Sequence, residues 1–224
     1  PEKVLSVTVN KGAPAEAGAT AINEYMAKSG WDIVGFSEDF NYHTQLTASP
    51  ASNYYTYGTH RGKVTGASNN TDGLGIAVAK WYSFANESWT KWNVSDGGLL
   101  GNLQEDNGAD EMIDKGYRYY EVTLGNGAVI DVYVLHMDAA SRQADINARE
   151  SQLTQLATAI KSKMSTNKRP VIVLGDTNCR YTRENLKTLF IDAINADSRF
   201  TAKDAWVELV RDGVYPTYGS DALM

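Results

Sequence analysis

Val171-Ile172-Val173-Leu174-Gly175-Asp176-Thr177-Asn178 is the stretch on which the fold turns. Its uninterrupted apolar run, bracketed by Pro170 and Gly175, has the composition of a strand buried on both faces. The segment before it, 144–164, carries Leu153, Leu156, Ala157, Ile160 and Met164 at spacings of three and four, which sets them on one stripe of a helix. The segment after it carries Leu186, Leu189, Phe190 and Ala193 and predicts a shorter amphipathic helix. A buried strand between two helices predicts a sheet covered by helices.

Working outward, 117–124 and 128–135 are β-rich runs joined by Gly125-Asn126-Gly127. That connection supplies the positive φ angles of a tight hairpin, so the two strands are predicted to be antiparallel. Further strands are predicted at 4–9, 33–36 and 74–80, and a helix at 15–28, with Ala19, Ile22 and Met26 on one stripe and Ser29-Gly30 as its stop. Strands that outnumber helices, with a hairpin and several helical crossovers, predict an α+β fold of mixed sheets with helices outside. Two polar stretches, 41–72 and 95–116, are long for loops in a compact domain unless they serve a site. The first holds Tyr54, Tyr55, Tyr57, His60, Arg61 and Lys63, a mix suited to contacting a ring or a phosphate, although a solvated irregular loop has the same composition.

The length of 224 residues fits one domain, expected over 1–224. No apolar run approaches the roughly 18 residues of a membrane-spanning helix, so no integral membrane segment is expected. The net charge of −6, from 21 Lys+Arg against 27 Asp+Glu, argues against binding nucleic acid mainly through a basic surface. It leaves open an enzyme that meets phosphate locally through a metal. The lone Cys179 excludes an internal disulfide, so disulfides say nothing of the compartment. Loops rich in Asn, Tyr and Ser lean toward a soluble, exported (periplasmic or secreted) bacterial protein, and a monomer is expected.

Four apolar strands end in polar residues: Val9-Asn10, Phe36-Ser37-Glu38, Leu135-His136-Met137-Asp138 and Leu174-Gly175-Asp176-Thr177-Asn178. Strand ends gather ligand sites because the sheet fixes their positions while the adjoining loops are free of the core. Residues two apart on an extended chain share a face, so Asp176 pairs with Asn178 and His136 with Asp138. Each taken alone has an ordinary explanation: a helix cap or turn for Glu38, an Asx turn for Gly-Asp-Thr-Asn, a satisfied core histidine for His136. Their joint occurrence in this order is what points to chemistry.

Together these residues resemble the metal-dependent endonuclease/exonuclease/phosphatase superfamily, which includes deoxyribonuclease I, neutral sphingomyelinases and inositol polyphosphate 5-phosphatases. Val171-Ile-Val-Leu-Gly-Asp-Thr-Asn178 is similar to its strand followed by Gly-Asp-x-Asn, Tyr133-Val-Leu-His-Met-Asp-Ala139 to its strand-histidine segment, and Asp32-Ile-Val-Gly-Phe-Ser-Glu38 to its strand ending in a metal-binding Glu. The resemblance implies a four-layer α/β/β/α sandwich and hydrolysis of a phosphoester with a divalent cation, Mg²⁺ or Mn²⁺. It implies that Glu38 and Asn10 place the metal, that Asp176 activates water, that Asn178 holds an oxygen, and that His136 donates to the phosphate. Asp204, in Lys203-Asp204-Ala-Trp206, matches the acid that holds a second histidine in the family. Asp138, Arg180, Tyr55 and Arg61 are the candidate substrate contacts.

One departure stands out. The family finishes with a strand carrying an Asp-His pair, whereas no His follows His136 here, and Asp221 is followed by Ala222. The expectation is a domain lacking its C-terminal strand, with a catalytically impaired binding module as the alternative. Asp72 is the candidate to orient His136. The substrate is left among nucleic acid, an inositol phosphate and a phospholipid headgroup.

Overall fold

Both sheets expected from the strand pattern form, and each is four-stranded and mixed. The computed structural model describes residues 3–9, 15–61, 72–94 and 114–217. These divide into two units, one drawn from Pro1–Lys91, Gly97–Met137 and Arg169–Asp176, the other from Trp92–Asp96, Asp138–Lys168 and Thr177–Met224.

The first unit holds β1 (Val4–Thr8), α1 (Ala15–Ser29), β2 (Ile33–Ser37), α2 (His43–Leu46), β3 (Tyr55–Tyr57), β4 (Gly75–Ala79), β5 (Ser83–Lys91), β6 (Gly116–Thr123), β7 (Val129–His136) and β8 (Val171–Asp176). One sheet runs β1-β2-β4-β3 and the other β5-β6-β7-β8. Among the described residues β1–β2 and β7–β8 are the parallel pairs. The alternation along β2 and β4 assigns the layers. Val34, Phe36, Ala77 and Ala79 meet Ala19 and Met26 of α1, while Ile33, Ile76 and Val78 meet Tyr120, Val122, Val132 and Val134 of the second sheet. Because β2 is covered on both faces, its residues read as a continuous apolar run. Gly35 lies where the sheets approach closely: a Cβ there would stand 3.1 Å from Leu174 Cβ and 3.4 Å from Val134 Cγ1.

The predicted hairpin forms as expected, with Gly127 at φ +82° and Leu124 N–H donating to the Ala128 carbonyl at 2.8 Å. Two strands escape the sequence pattern. β3 lies inside the polar stretch 41–72, which therefore also contains α2 and is not one irregular loop. β5 is mostly polar and carries a register irregularity between Ala85 and Ser88, which breaks its period of two.

The second unit holds α3 (Gln143–Asn167), α4 (Ala193–Asn195) and α5 (Ala205–Val210). α3 begins with Asp145 accepting from Arg142 N–H at 2.8 Å and ends on a left-handed Lys168. Leu153, Leu156, Ala157 and Ile160 are buried, as the spacing predicts. The predicted helix over 186–193 is π-helical through Lys187–Asp192 before it continues as α4. Among the described residues no helix is long and apolar enough to cross a membrane.

Candidate functional site

In the first unit, strands β2, β7 and β8 each deliver one candidate side chain at the C-terminal end. The parallel register pairs Leu135 with Gly175 and His136 with Asp176, and Met137 N–H donates to the Asp176 carbonyl at 3.0 Å, so the pairing holds to the last residue of β8. Gly175 makes that possible. Its φ is +131°, and a Cβ there would meet the Leu135 carbonyl oxygen at 2.0 Å, so any side chain would force the strands apart just before Asp176.

Glu38 follows β2 in the left-handed region at φ +59°, a costly conformation for a residue of its size. The backbone around it is clamped by Asp39 N–H donating to the Gly73 carbonyl at 2.9 Å. Its carboxylate, 12% exposed, lies with Oε1 4.0 Å from Nε2 of the buried His136. Buried Lys115 donates to the Met137 carbonyl at 3.1 Å and so ties down the turn after His136. Arg61 is exposed. Asn10 lies outside the described residues, as do Lys63 and nearly all of 95–116.

Two sequence candidates have other placements. Tyr55, expected at the substrate, is a core residue: it is 3% exposed, its hydroxyl donates to the Met26 carbonyl at 2.9 Å, and it accepts from Trp31 N–H at 3.0 Å. Asp72, expected to orient His136, gives both oxygens to Arg118, at 2.8 Å from Nε and 3.0 Å from Nη2. Arg118 also donates to the Thr59 carbonyl at 2.7 Å and to Glu87. Burial raises the Asp72 pKa while Arg118 opposes the shift, as expected of a desolvated bidentate pair.

The second unit carries Asn178, Asp138, Arg180 and Asp204. Asn178 is left-handed at φ +51°, and its carbonyl accepts from Arg183 Nη2 at 3.2 Å. Arg180 is exposed, and its N–H donates to Glu184 Oε2 at 2.7 Å. Glu184 is fully buried and paired with the equally buried Arg149 at 2.7 Å; Arg149 Nη1 in turn donates to the Asp138 and Ala139 carbonyls, each at 2.9 Å. One ion pair thus holds both the segment after His136 and the segment around Asn178. Asp138 itself is buried, and its N–H donates to Gln152 Oε1 at 3.1 Å. Asp204 caps α5, accepting from Val207 N–H at 3.1 Å, and takes a hydrogen bond from the Tyr181 hydroxyl. Burial pushes the Cys179 thiol up to about 12, with the nearby Glu184 charge adding to the effect.

Arg149 and Glu184 are absent from the sequence candidates, yet a signal existed. Arg149 falls on the apolar stripe of Leu153, Leu156 and Ile160, and a charge on a buried stripe demands a buried partner.

The sequence matches no family model and no curated protein. Solved structures do match. D. rerio TDP2 complexed with single-strand DNA product is 18% identical, with a TM-score of 0.61 over 83% of this chain and 64% of that one. Sphingomyelinase C from Streptomyces griseocarneus is 16% identical, with a TM-score of 0.60 over 85% and 68%. The catalytic domain of human nocturnin with bound sulfate is 18% identical, with a TM-score of 0.63 over 88% and 67%. This chain spans about two thirds of the length of each. It shares with them a DNase I-like fold, seen among the described residues as two mixed four-stranded sheets with helices.

Proposed function

We propose that this chain is a single-domain, monomeric hydrolase of phosphate esters that works with a divalent cation of the magnesium class. The observation that carries the reading is the convergence of Glu38 and His136, 4.0 Å apart, beside an Asp176 held in register with His136. The fold shared with a TDP2 complexed with single-strand DNA product, with a sphingomyelinase C and with a nocturnin catalytic domain that binds sulfate supports it.

The donors suit a hard cation. Glu38 offers a partly exposed carboxylate, and Asn10 would add an amide oxygen, leaving most positions to water and phosphate oxygens. Such a cation would neutralise charge on the bound phosphate. The side chains do the rest. Asp176 accepts the proton of the attacking water, and the Asn178 amide orients that water or a phosphate oxygen. His136 donates to a non-bridging oxygen, where negative charge grows in the transition state. Arg61 and Arg180, both exposed, are the proposed cationic contacts to the substrate. Asp138 supports the segment after His136, and Asp204 steadies the Asp204–Tyr181 end of the second unit.

The test is hydrolysis of a chromogenic phosphodiester in Mg²⁺ or Mn²⁺. Asp176→Ala is expected to lower kcat by about 10²- to 10⁴-fold, the usual worth of a general base. Full activity in that variant, or in excess chelator, overturns the reading. A panel of plasmid DNA, an inositol phosphate and a phosphocholine lipid then assigns the substrate class.

A further inference from the structure

Glu38 and Asp39 are adjacent carboxylates that serve different neighbours. Glu38 lies near His136, whereas Asp39 is fully buried and surrounded by the two remaining histidines of the sequence. His43 Nδ1 stands 2.6 Å from Asp39 Oδ2, and His60 Nε2 stands 3.8 Å from Oδ1 and 2.8 Å from the Asp39 carbonyl oxygen. The two rings stack at 3.7 Å, only 5° from parallel. One donor atom from each of the three residues lies within 4.8 Å of the others. Asp39 Oδ1 is buried and has no hydrogen-bond partner, an arrangement that costs roughly 1–3 kcal/mol unless something occupies the lone pairs.

We propose that Asp39, His43 and His60 form a second metal site, for a borderline divalent ion of the zinc class and not for magnesium. Two imidazoles and one carboxylate are zinc-type donors, and three protein ligands with an open fourth position is a recurrent zinc arrangement. Bonds of about 2.0–2.1 Å at tetrahedral angles set donors roughly 3.3 Å apart, between the 2.6 and 3.8 Å separations seen here. Loading therefore widens the His43–Asp39 contact, closes the His60–Asp39 one and tilts the stacked rings apart. Both rings have room to turn, their side chains being 28% and 24% exposed. The frame is preset. Asp39 N–H is bound to the Gly73 carbonyl, Gly73 N–H to the Arg61 carbonyl at 3.2 Å, and His43 opens α2, so the backbone on which Asp39, His43 and His60 stand is tied together.

The proposal is independent of the phosphoesterase reading, and its test uses no activity. The whole protein is titrated with Zn²⁺, and in parallel with Co²⁺ as a visible-absorbing probe, in excess Mg²⁺. One equivalent is expected to bind and to survive the Mg²⁺. A zinc absorption-edge spectrum of wild-type protein is expected to resolve two imidazole ligands. Since the sequence holds three histidines and His136 faces Glu38, two rings on one ion identify His43 and His60. His43→Gln/His60→Gln is expected to lose more than the roughly 10- to 100-fold in affinity that removal of a mere outer-shell partner costs, while Glu38→Gln keeps the site. Displacement by Mg²⁺, fewer than two imidazoles, or unchanged affinity in the double variant overturns it.

Discussion

Replacing Arg149 by Met removes the buried charge paired with a fully buried Glu184, whose other ion-pair partner, Arg183, is partly exposed. Stranding one member of a buried pair costs about 3–5 kcal/mol. Two features act on that figure in opposite directions. Glu184 keeps the Arg180 N–H and Arg183 Nε as donors, which pulls the cost toward the low end. The Asp138 and Ala139 carbonyls lose their donor, which adds up to about 1–3 kcal/mol for each that water cannot reach. A loss of about 4 kcal/mol is therefore expected, and with an m-value near 3 kcal/mol/M it moves the urea midpoint down by roughly 1.3 M. Glu184→Gln strands Arg149 less severely, because the two carbonyls still accept from it. The double variant is expected to lie about 1–3 kcal/mol above the sum of the singles, since each change removes the charge that the other leaves unpaired. Urea unfolding followed by tryptophan fluorescence measures all four proteins. A midpoint shift under about 0.3 M in Arg149→Met, or strict additivity, refutes the claim that this pair organises the unit. If the pair also positions Asn178, both singles lower kcat at temperatures where they remain folded.

Gly175→Ala places a methyl group against the Leu135 carbonyl at a φ of +131°, and the backbone term alone is worth about 1–3 kcal/mol. A melting temperature lowered by more than about 5 °C is expected, together with impaired hydrolysis because Asp176 is the next residue; an unchanged Tm and rate contradicts the role given to this glycine. The Cys179 thiol, raised from an ordinary 9.0 to about 12, keeps its proton in the folded protein where the unfolded chain has lost it. Stability is thus untouched below about pH 9 and falls as pH rises from there toward 12, and Cys179→Ala should flatten that slope. Alkylation at mildly alkaline pH should label the urea-unfolded chain and spare the native one.

Much of this was legible in the chain. The apolar runs at Ile33 and Val171 and the Gly-Asn-Gly turn gave strands, a hairpin and mixed sheets, because apolar runs and positive φ leave direct marks in composition; the expected full burial holds for β2 and not for β8, which ends its sheet and is half-buried throughout. Glu38, His136 and Asp176 stood out as candidates because each ends such a run. Tyr55 was misread, since an aromatic in a polar stretch looks exposed until the 3-residue strand that buries it is known. Strand β5 was invisible for the complementary reason: its polar residues and irregular register erase the period of two.

By itself, then, the sequence determined most of the strands and helices and the residues that end them, because periodicity and turn chemistry are local; β3 and β5 left no such mark. Only the tertiary structure decided which ends meet. That His136 faces Glu38, that Asp72 is committed to Arg118 and that Arg149 seeks Glu184 are consequences of strand order, register and buried charge pairing. Those contacts join residues far apart in the chain, and no local pattern encodes the partner of a desolvated charge. The neighbouring carboxylates Glu38 and Asp39 show the division most plainly: adjacent in sequence, they are turned at the left-handed Glu38 toward different histidines, His136 for one and His43 and His60 for the other.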